Sequence, residues 1–162
     1  MDILVGLIAW GIIIYLVYIA FLKKKRRKTP PIPVSITTGS NFTPKYTHLT
    51  EYNIKGMNFR KFNRKLRSGV FYGYVKAEKN NQYDPFAISI FNEKGLHLGY
   101  CPGGNQELHS TLIKKNKGTH TAFGFVQYNP SGKYWYGKVT IPFDLSQEQI
   151  EEAYEEYAII NA

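Results

Sequence analysis

The chain has 162 residues, 43% hydrophobic and 15% aromatic, enough for one compact domain with appendages. Its single cysteine, Cys101, excludes an internal disulfide framework and a Cys-cluster metal site. The four histidines (His48, His97, His109, His120) show no paired metal-ligand spacing, so neither a metal nor a cofactor is expected. The formal charge of +9 is unevenly spread: residues 1–28 hold six basic residues and one acidic, residues 29–143 hold 15 and five, and residues 144–162 hold none and six.

In chain order, Ile3 to Leu22 is an apolar run of 20 residues without a charge. As a helix it would span about 30 Å, the thickness of a bilayer core. A cleaved signal peptide normally carries positive charge before the run and a small-x-small site after it. Here only Asp2 precedes the run and the charge follows it, so a retained single-pass anchor is expected over residues 1–22. Lys23 to Lys28, all basic, would hold that end in the cytoplasm, with the N-terminus outside and the main domain inside. Anionic-lipid binding and nucleic-acid binding are alternative readings of this basic run. Residues 23–45 form a basic, then Pro-rich linker, in which Pro30, Pro31, Pro33 and Pro44 disfavour helix. Val34 to Thr37 is a candidate edge strand.

The globular domain is expected over residues 46–143. Ile54 to Phe59 reads as a strand. Arg60 to Arg67, with Phe62 and Leu66 four apart, reads as one or two helical turns facing a core. Val70 to Ala77 alternates, placing Phe71, Val75 and Ala77 on one face and Val70, Tyr72, Tyr74 and Lys76 on the other. Lys79 to Pro85 is a polar turn region. Phe86 to Phe91 and Leu96 to Tyr100 form a hairpin through the Asn92–Gly95 turn. Asn105 to Lys115 reads as a helix with Asn105 as N-cap and Leu108, Leu112 and Ile113 on one side; Asn116 to Gly118 closes it. Thr121 to Tyr128 and Lys133 to Ile141 are strands joined by Asn129-Pro130-Ser131-Gly132 as a type I turn. Residues 144–162 form an acidic amphipathic helix opened by the capping box Ser146-x-x-Gln149. Its apolar positions Ile150, Ala153, Tyr154, Tyr157 and Ala158 either pack on the domain or meet a protein partner. Glu148, Glu151, Glu152, Glu155 and Glu156 are expected to face elsewhere.

Asn81-x-Tyr83-Asp84-x-x-Ala87-Ile88, then the Gly95 turn, then Leu98-Gly99-Tyr100-x-Pro102, resembles the HIRAN domain. Gly56-Met57-Asn58-Phe59 and Leu66-Arg67-Ser68-Gly69 fall where that family has its opening glycine-plus-aromatic motif and its Leu-x-x-Gly turn. The resemblance runs from Ile54 to Pro142. It implies a mainly β (α+β) fold, a small OB-like barrel with one or two short helices, here preceded by a transmembrane helix. Members of the family in fork-remodelling helicases bind the 3′ end of single-stranded DNA. On that resemblance, Tyr83 would stack on a terminal base and Asp84 would accept a hydrogen bond from the terminal 3′-hydroxyl. Phe59 stands where those helicases have tyrosine and can still stack, while Asn58 stands where they have arginine, which weakens one phosphate contact. Asn81 opens the binding motif, and Tyr134 or Tyr136 would supply a later-strand aromatic. Gly103 follows Pro102 where the family often has Lys or Arg.

Composition points the same way, because a basic, aromatic-rich small β domain has the electrostatic profile of a nucleic-acid binder. Enzyme motifs are missing: there is no Gly-x-Ser-x-Gly, no Walker loop and no His-Glu-x-x-His. Glu78 and Asp84 are conceivable paired carboxylates. Cys101, with His97 and His109 near it in sequence, is a conceivable nucleophile but reads better as a buried strand-end cysteine. Two functions stay open: a membrane-anchored, non-enzymatic module for single-stranded DNA ends, and a membrane-anchored protein-interaction or scaffold domain that binds no DNA. For Tyr83 and Asp84 a purely structural role is also open, a tyrosine lid and an Asx-turn.

Overall fold

Apolar–polar alternation builds the sheet. The computed structural model describes residues 44–62 and 65–161, which contain six strands: β1 (Glu51–Asn53), β2 (Gly69–Ala77), β3 (Ile88–Asn92), β4 (His97–Tyr100), β5 (Thr119–Asn129) and β6 (Tyr134–Thr140). They form one antiparallel sheet in the order β1-β6-β5-β2-β3-β4. Helix α1 (Gln106–Asn116) joins β4 to β5, and helix α2 (Gln147–Ile160) ends the chain. The fold is mainly β, a curled six-stranded sheet with two helices that fits an OB-like barrel. The apolar run Ile3–Leu22, the basic run Lys23–Lys28 and the candidate strand Val34–Thr37 lie outside the described residues. Among the described residues, no helix is long and apolar enough to cross a membrane.

The alternation of β2 is seen as expected: Phe71, Val75 and Ala77 are buried, and Val70, Tyr72, Tyr74 and Lys76 point to the other face. Val75, Ile90, Leu98, Ala122 and Val139 fill the concave side, and Leu108 and Leu112 of α1 join the same cluster. Asn105 caps α1 by accepting the Leu108 N–H at 3.1 Å, and the helix ends on the left-handed pair Lys117 (φ 54°) and Gly118 (φ 86°).

One local expectation is corrected. Ile54–Phe59 is not a strand, because Gly56 takes φ 78° and turns the chain into the short 3-10 turn Met57–Phe59. Phe62 and Leu66 are buried as their spacing suggested, and Phe62 packs edge-on against Trp135 at 5.7 Å. In the turn from β5 to β6, Asn129 Oδ1 accepts the Gly132 N–H at 3.0 Å and Lys133 takes the left-handed position (φ 55°).

The sheet closes on itself beyond β1. The Ile54 N–H donates to Gly137 O of β6 (2.9 Å), and Lys55 exchanges two backbone hydrogen bonds with Tyr100 of β4, at 2.8 and 2.9 Å. One dipeptide thus joins the two edge strands. The approach is possible because position 99 is glycine: a Cβ there would overlap Lys55 O and come within 2.7 Å of Ile54 Cγ2. Gly99→Ala should therefore destabilise the protein by about 1–3 kcal/mol, the usual cost of overpacking. Chemical denaturation measures this, and an unchanged midpoint would show that the closure is loose.

The second layer is α2, whose capping box is complete: Ser146 Oγ accepts the Gln149 N–H and Gln149 Oε1 accepts the Ser146 N–H. Ile150, Ala153 and Tyr154 pack with Phe123 and Tyr46 on the convex side of the sheet. The apolar face predicted to meet either the domain or a partner is thus covered within the chain. Two glutamates depart from expectation. Glu156 is buried and accepts the Tyr46 N–H at 2.9 Å, and Glu152 receives the Tyr46 hydroxyl at 2.6 Å and Lys45 Nζ at 3.1 Å. Glu51 of β1 is held in the same way by Lys138 Nζ (2.9 Å) and the Tyr157 hydroxyl (2.8 Å). Burial alone would raise the Glu51 carboxyl, but these two donors outweigh it and hold it below its usual range. The stability it adds is therefore complete above the ordinary glutamate value of about 4.3 and is lost as pH falls through its lower folded value. Glu51→Gln should lower stability at neutral pH, and the gap to the wild type should vanish in acid. A gap that persists under acid conditions would assign the effect to packing instead.

Candidate nucleic-acid interface

The turn between β2 and β3 is built by its own side chains. Asn81 Oδ1 accepts the backbone N–H groups of Tyr83 (2.9 Å) and Asp84 (3.0 Å), and Asn81 Nδ2 donates to Glu78 Oε2 at 2.8 Å. Asp84 Oδ1 accepts the Phe86 N–H at 2.9 Å, an Asx-turn. Asp84 Oδ2 accepts the Gly104 N–H at 3.2 Å, which ties the turn to the segment after β4. With the backbone fixed in this way, Tyr83 projects outward and is 89% exposed. Each Asp84 oxygen carries one hydrogen bond from the protein and has capacity for another.

Phe59 reaches the surface for a different reason. In the tight turn after Gly56, Met57 goes inward and is 2% exposed, which leaves Asn58 and Phe59 outside, Phe59 at 94%. Next in the chain, the Arg60 guanidinium lies 5.3 Å from the Tyr100 ring centre, and its Nε is buried with no hydrogen-bond partner. The positive charge that Asn58 lacks is thus present two residues on.

The segment Tyr100–Gly104 is the common neighbour of both pieces. Lys55 and Arg60 hold Tyr100, and Asp84 holds Gly104. Asn58 and Phe59 lie in the chain between Lys55 and Arg60, and Asn81 and Tyr83 lie in the turn that Asp84 ties to Gly104. A Cβ at Gly103 would lie 3.2 Å from Asp84 Oδ2, so the glycine keeps that carboxylate uncrowded, at the loss of a cation. Tyr134 stands on β6 opposite Asn129, with its ring 6.1 Å from that of Tyr136.

Sequence reasoning missed Arg60 and a row of rings on the convex face. Tyr74 stacks on Phe91 (5.0 Å), Phe91 on His97 (4.7 Å), and His97 meets Tyr100 edge-on (4.9 Å). Alternation put Tyr74 outward, but only the pairing of β2, β3 and β4 sets these rings side by side. Burial and the Arg60 charge hold the His97 imidazole below its usual range. Cys101 is buried, and burial pushes its thiol up to about 12. His97 Nε2 is paired with Gly99 O and His109 Nε2 with Glu78 O, each at 3.0 Å.

No curated protein and no solved structure matches the chain. The HIRAN domain family model matches residues 48–143, from the segment before β1 to the end of the barrel, and takes in the closure at Lys55, the Asn81–Asp84 turn and the Tyr100–Gly104 segment. That stretch is more than half of the sequence, and the chain accordingly belongs to the HIRAN domain family, a family of DNA-binding domains.

Proposed function

We propose that this domain binds the 3′-hydroxyl end of single-stranded DNA, without catalysis, and that residues 3–22 tether it to a membrane with the domain on the cytoplasmic side. The observation that carries the reading is one turn: a fully presented aromatic ring, Tyr83, beside a carboxylate, Asp84, whose oxygens are each only partly used. A base can stack on Tyr83 or Phe59 whatever its identity, for about 1–3 kcal/mol per base. A terminal hydroxyl can donate to Asp84, and such a charge-assisted bond is stronger than a neutral one. A 3′-phosphate has no donor to offer and brings like charge to the carboxylate.

Short single strands ending in 3′-hydroxyl should therefore bind more tightly than the same strands ending in 3′-phosphate, measured by anisotropy with the full chain in detergent. Tyr83→Ala should weaken both ligands by about 1–3 kcal/mol and leave the melting temperature unchanged, since the ring is exposed. Asp84→Asn should erase the preference between ends. Its amide nitrogen cannot accept the Gly104 N–H, so the turn loosens as well, but loosening alone would lower both affinities together. Equal affinity for the two ends would sink the end-binding reading, and no affinity at low salt would favour a protein ligand on this surface.

The tether is tested separately. The uncharged run followed by six basic residues supports an N-terminus-out orientation. A reporter fused after Ala162 should be active only in its cytoplasmic form, and activity of a reporter that works only outside would reject that topology.

A further inference from the structure

Beside the Asn81–Asp84 turn lies a cavity of about 460 Å³ that end recognition does not use. Three elements bring a lysine to it: Lys76 from the end of β2, Lys79 from the following loop, and Lys117 from the left-handed turn after α1. All three are exposed, and none has an ion pair or side-chain hydrogen bond among the described residues. The carboxylate in the lining, Glu78, already receives Asn81 Nδ2. Charges of one sign in a concave wall focus their field on a ligand that enters. The wall also includes Phe91, but its ring is stacked between Tyr74 and His97 and has no free face for a base. The cavity therefore offers charge rather than stacking, which suits a phosphate and not a nucleobase.

Its place sets which phosphate. Asn80 lines the cavity, and Tyr83 is three positions further along the chain. That is a reach of about 11 Å at most, or about three phosphates at duplex spacing and fewer along an extended strand. We infer that Lys76, Lys79 and Lys117 form a backbone subsite for the second and further phosphates upstream of the terminal nucleotide held at Tyr83 and Asp84. This rests on the end-binding reading and adds to it a second, sequence-independent contact that a dinucleotide is too short to use.

Full-chain protein should then bind longer 3′-hydroxyl strands more tightly than a dinucleotide, with the gain falling as salt rises. The triple variant K76Q/K79Q/K117N removes the three charges, with Gln close to Lys in size at 76 and 79 and with Asn, which tolerates the left-handed backbone, at 117. It should lose the gain with length and reduce the slope of log affinity against log salt by about 2, at about 0.7 per phosphate contact on a single strand. Dinucleotide affinity and the preference for 3′-hydroxyl over 3′-phosphate should remain. Lys79→Gln alone, on an exposed loop, should give about a third of that change in slope and decides the matter if the triple variant fails to fold. Unchanged length dependence and slope in a folded variant would overturn the subsite. If the wild type shows no preference between ends while the lysine variants still flatten the salt dependence, end recognition fails and the phosphate site stands.

Discussion

The backbone pair between Lys55 and Tyr100 is the contact on which the rest of this structure depends. It joins residues 45 apart in sequence and ties the strand beyond β1 to the far edge of the sheet. Without it the curled sheet would have two open edges, each a row of unpaired backbone groups. Its geometry also decides the path of the next five residues: the left-handed Gly56, the tight turn that sends Met57 inward and Phe59 outward, and Arg60 folded back over Tyr100. Tyr100 then leads into Gly104, where Asp84 is fastened. The closure of the barrel and the Asp84 tie therefore share the segment Tyr100–Gly104.

How much of this could be read from the sequence depended on the range of the interactions concerned. The β3–β4 hairpin, the Asn105 cap of α1 and the Ser146–Gln149 capping box are local, and each has the partner its spacing suggested. The alternation of β2 was equally plain, because both faces have fixed environments. Gly56 defeated the strand expected at Ile54–Phe59: Ile54, Met57 and Phe59 alternate around it with polar residues, but the glycine takes a backbone angle that ends the strand. Phe62 and Leu66, four apart, are both buried, as that spacing suggested. The burial of Glu156 had no local signal at all, because its partner, the Tyr46 N–H, is 110 residues away.

At the interface the division is similar. Asn81, Tyr83 and Asp84 are legible as a set because the first and third make the turn that presents the second. The structural role of Asp84 and a ligand role do not exclude each other: the Asx-turn and the Gly104 tie fix the carboxylate in place and leave lone pairs over, which is the preorganisation a binding site needs. Arg60 is not legible as a member of the set, because its place is defined by Tyr100, on another strand. Tyr134 is legible only as an aromatic on a late strand, and its neighbour Tyr136 follows from that strand.

The outward residues of β2 connect these regions along one strand. Val70 and Tyr72 lie under α2, Tyr74 stacks on Phe91, and Lys76 enters the lysine-lined cavity. Surface character thus changes from one end of a nine-residue strand to the other, from cover by an acidic helix to open positive charge. The six acidic residues of the C-terminal segment would repel a polyanion if they lay near the cavity. Packing places the helix at the other end of β2, where Glu152 meets Lys45 and Tyr46 and Glu156 meets a backbone N–H. A chain with such opposed segments can carry a strongly basic middle without mutual neutralisation only if its acidic part is held elsewhere. Tyr154, packed edge-on against Tyr72 at 5.1 Å, is one of the contacts that hold it there, with Ile150 and Ala153 beside it.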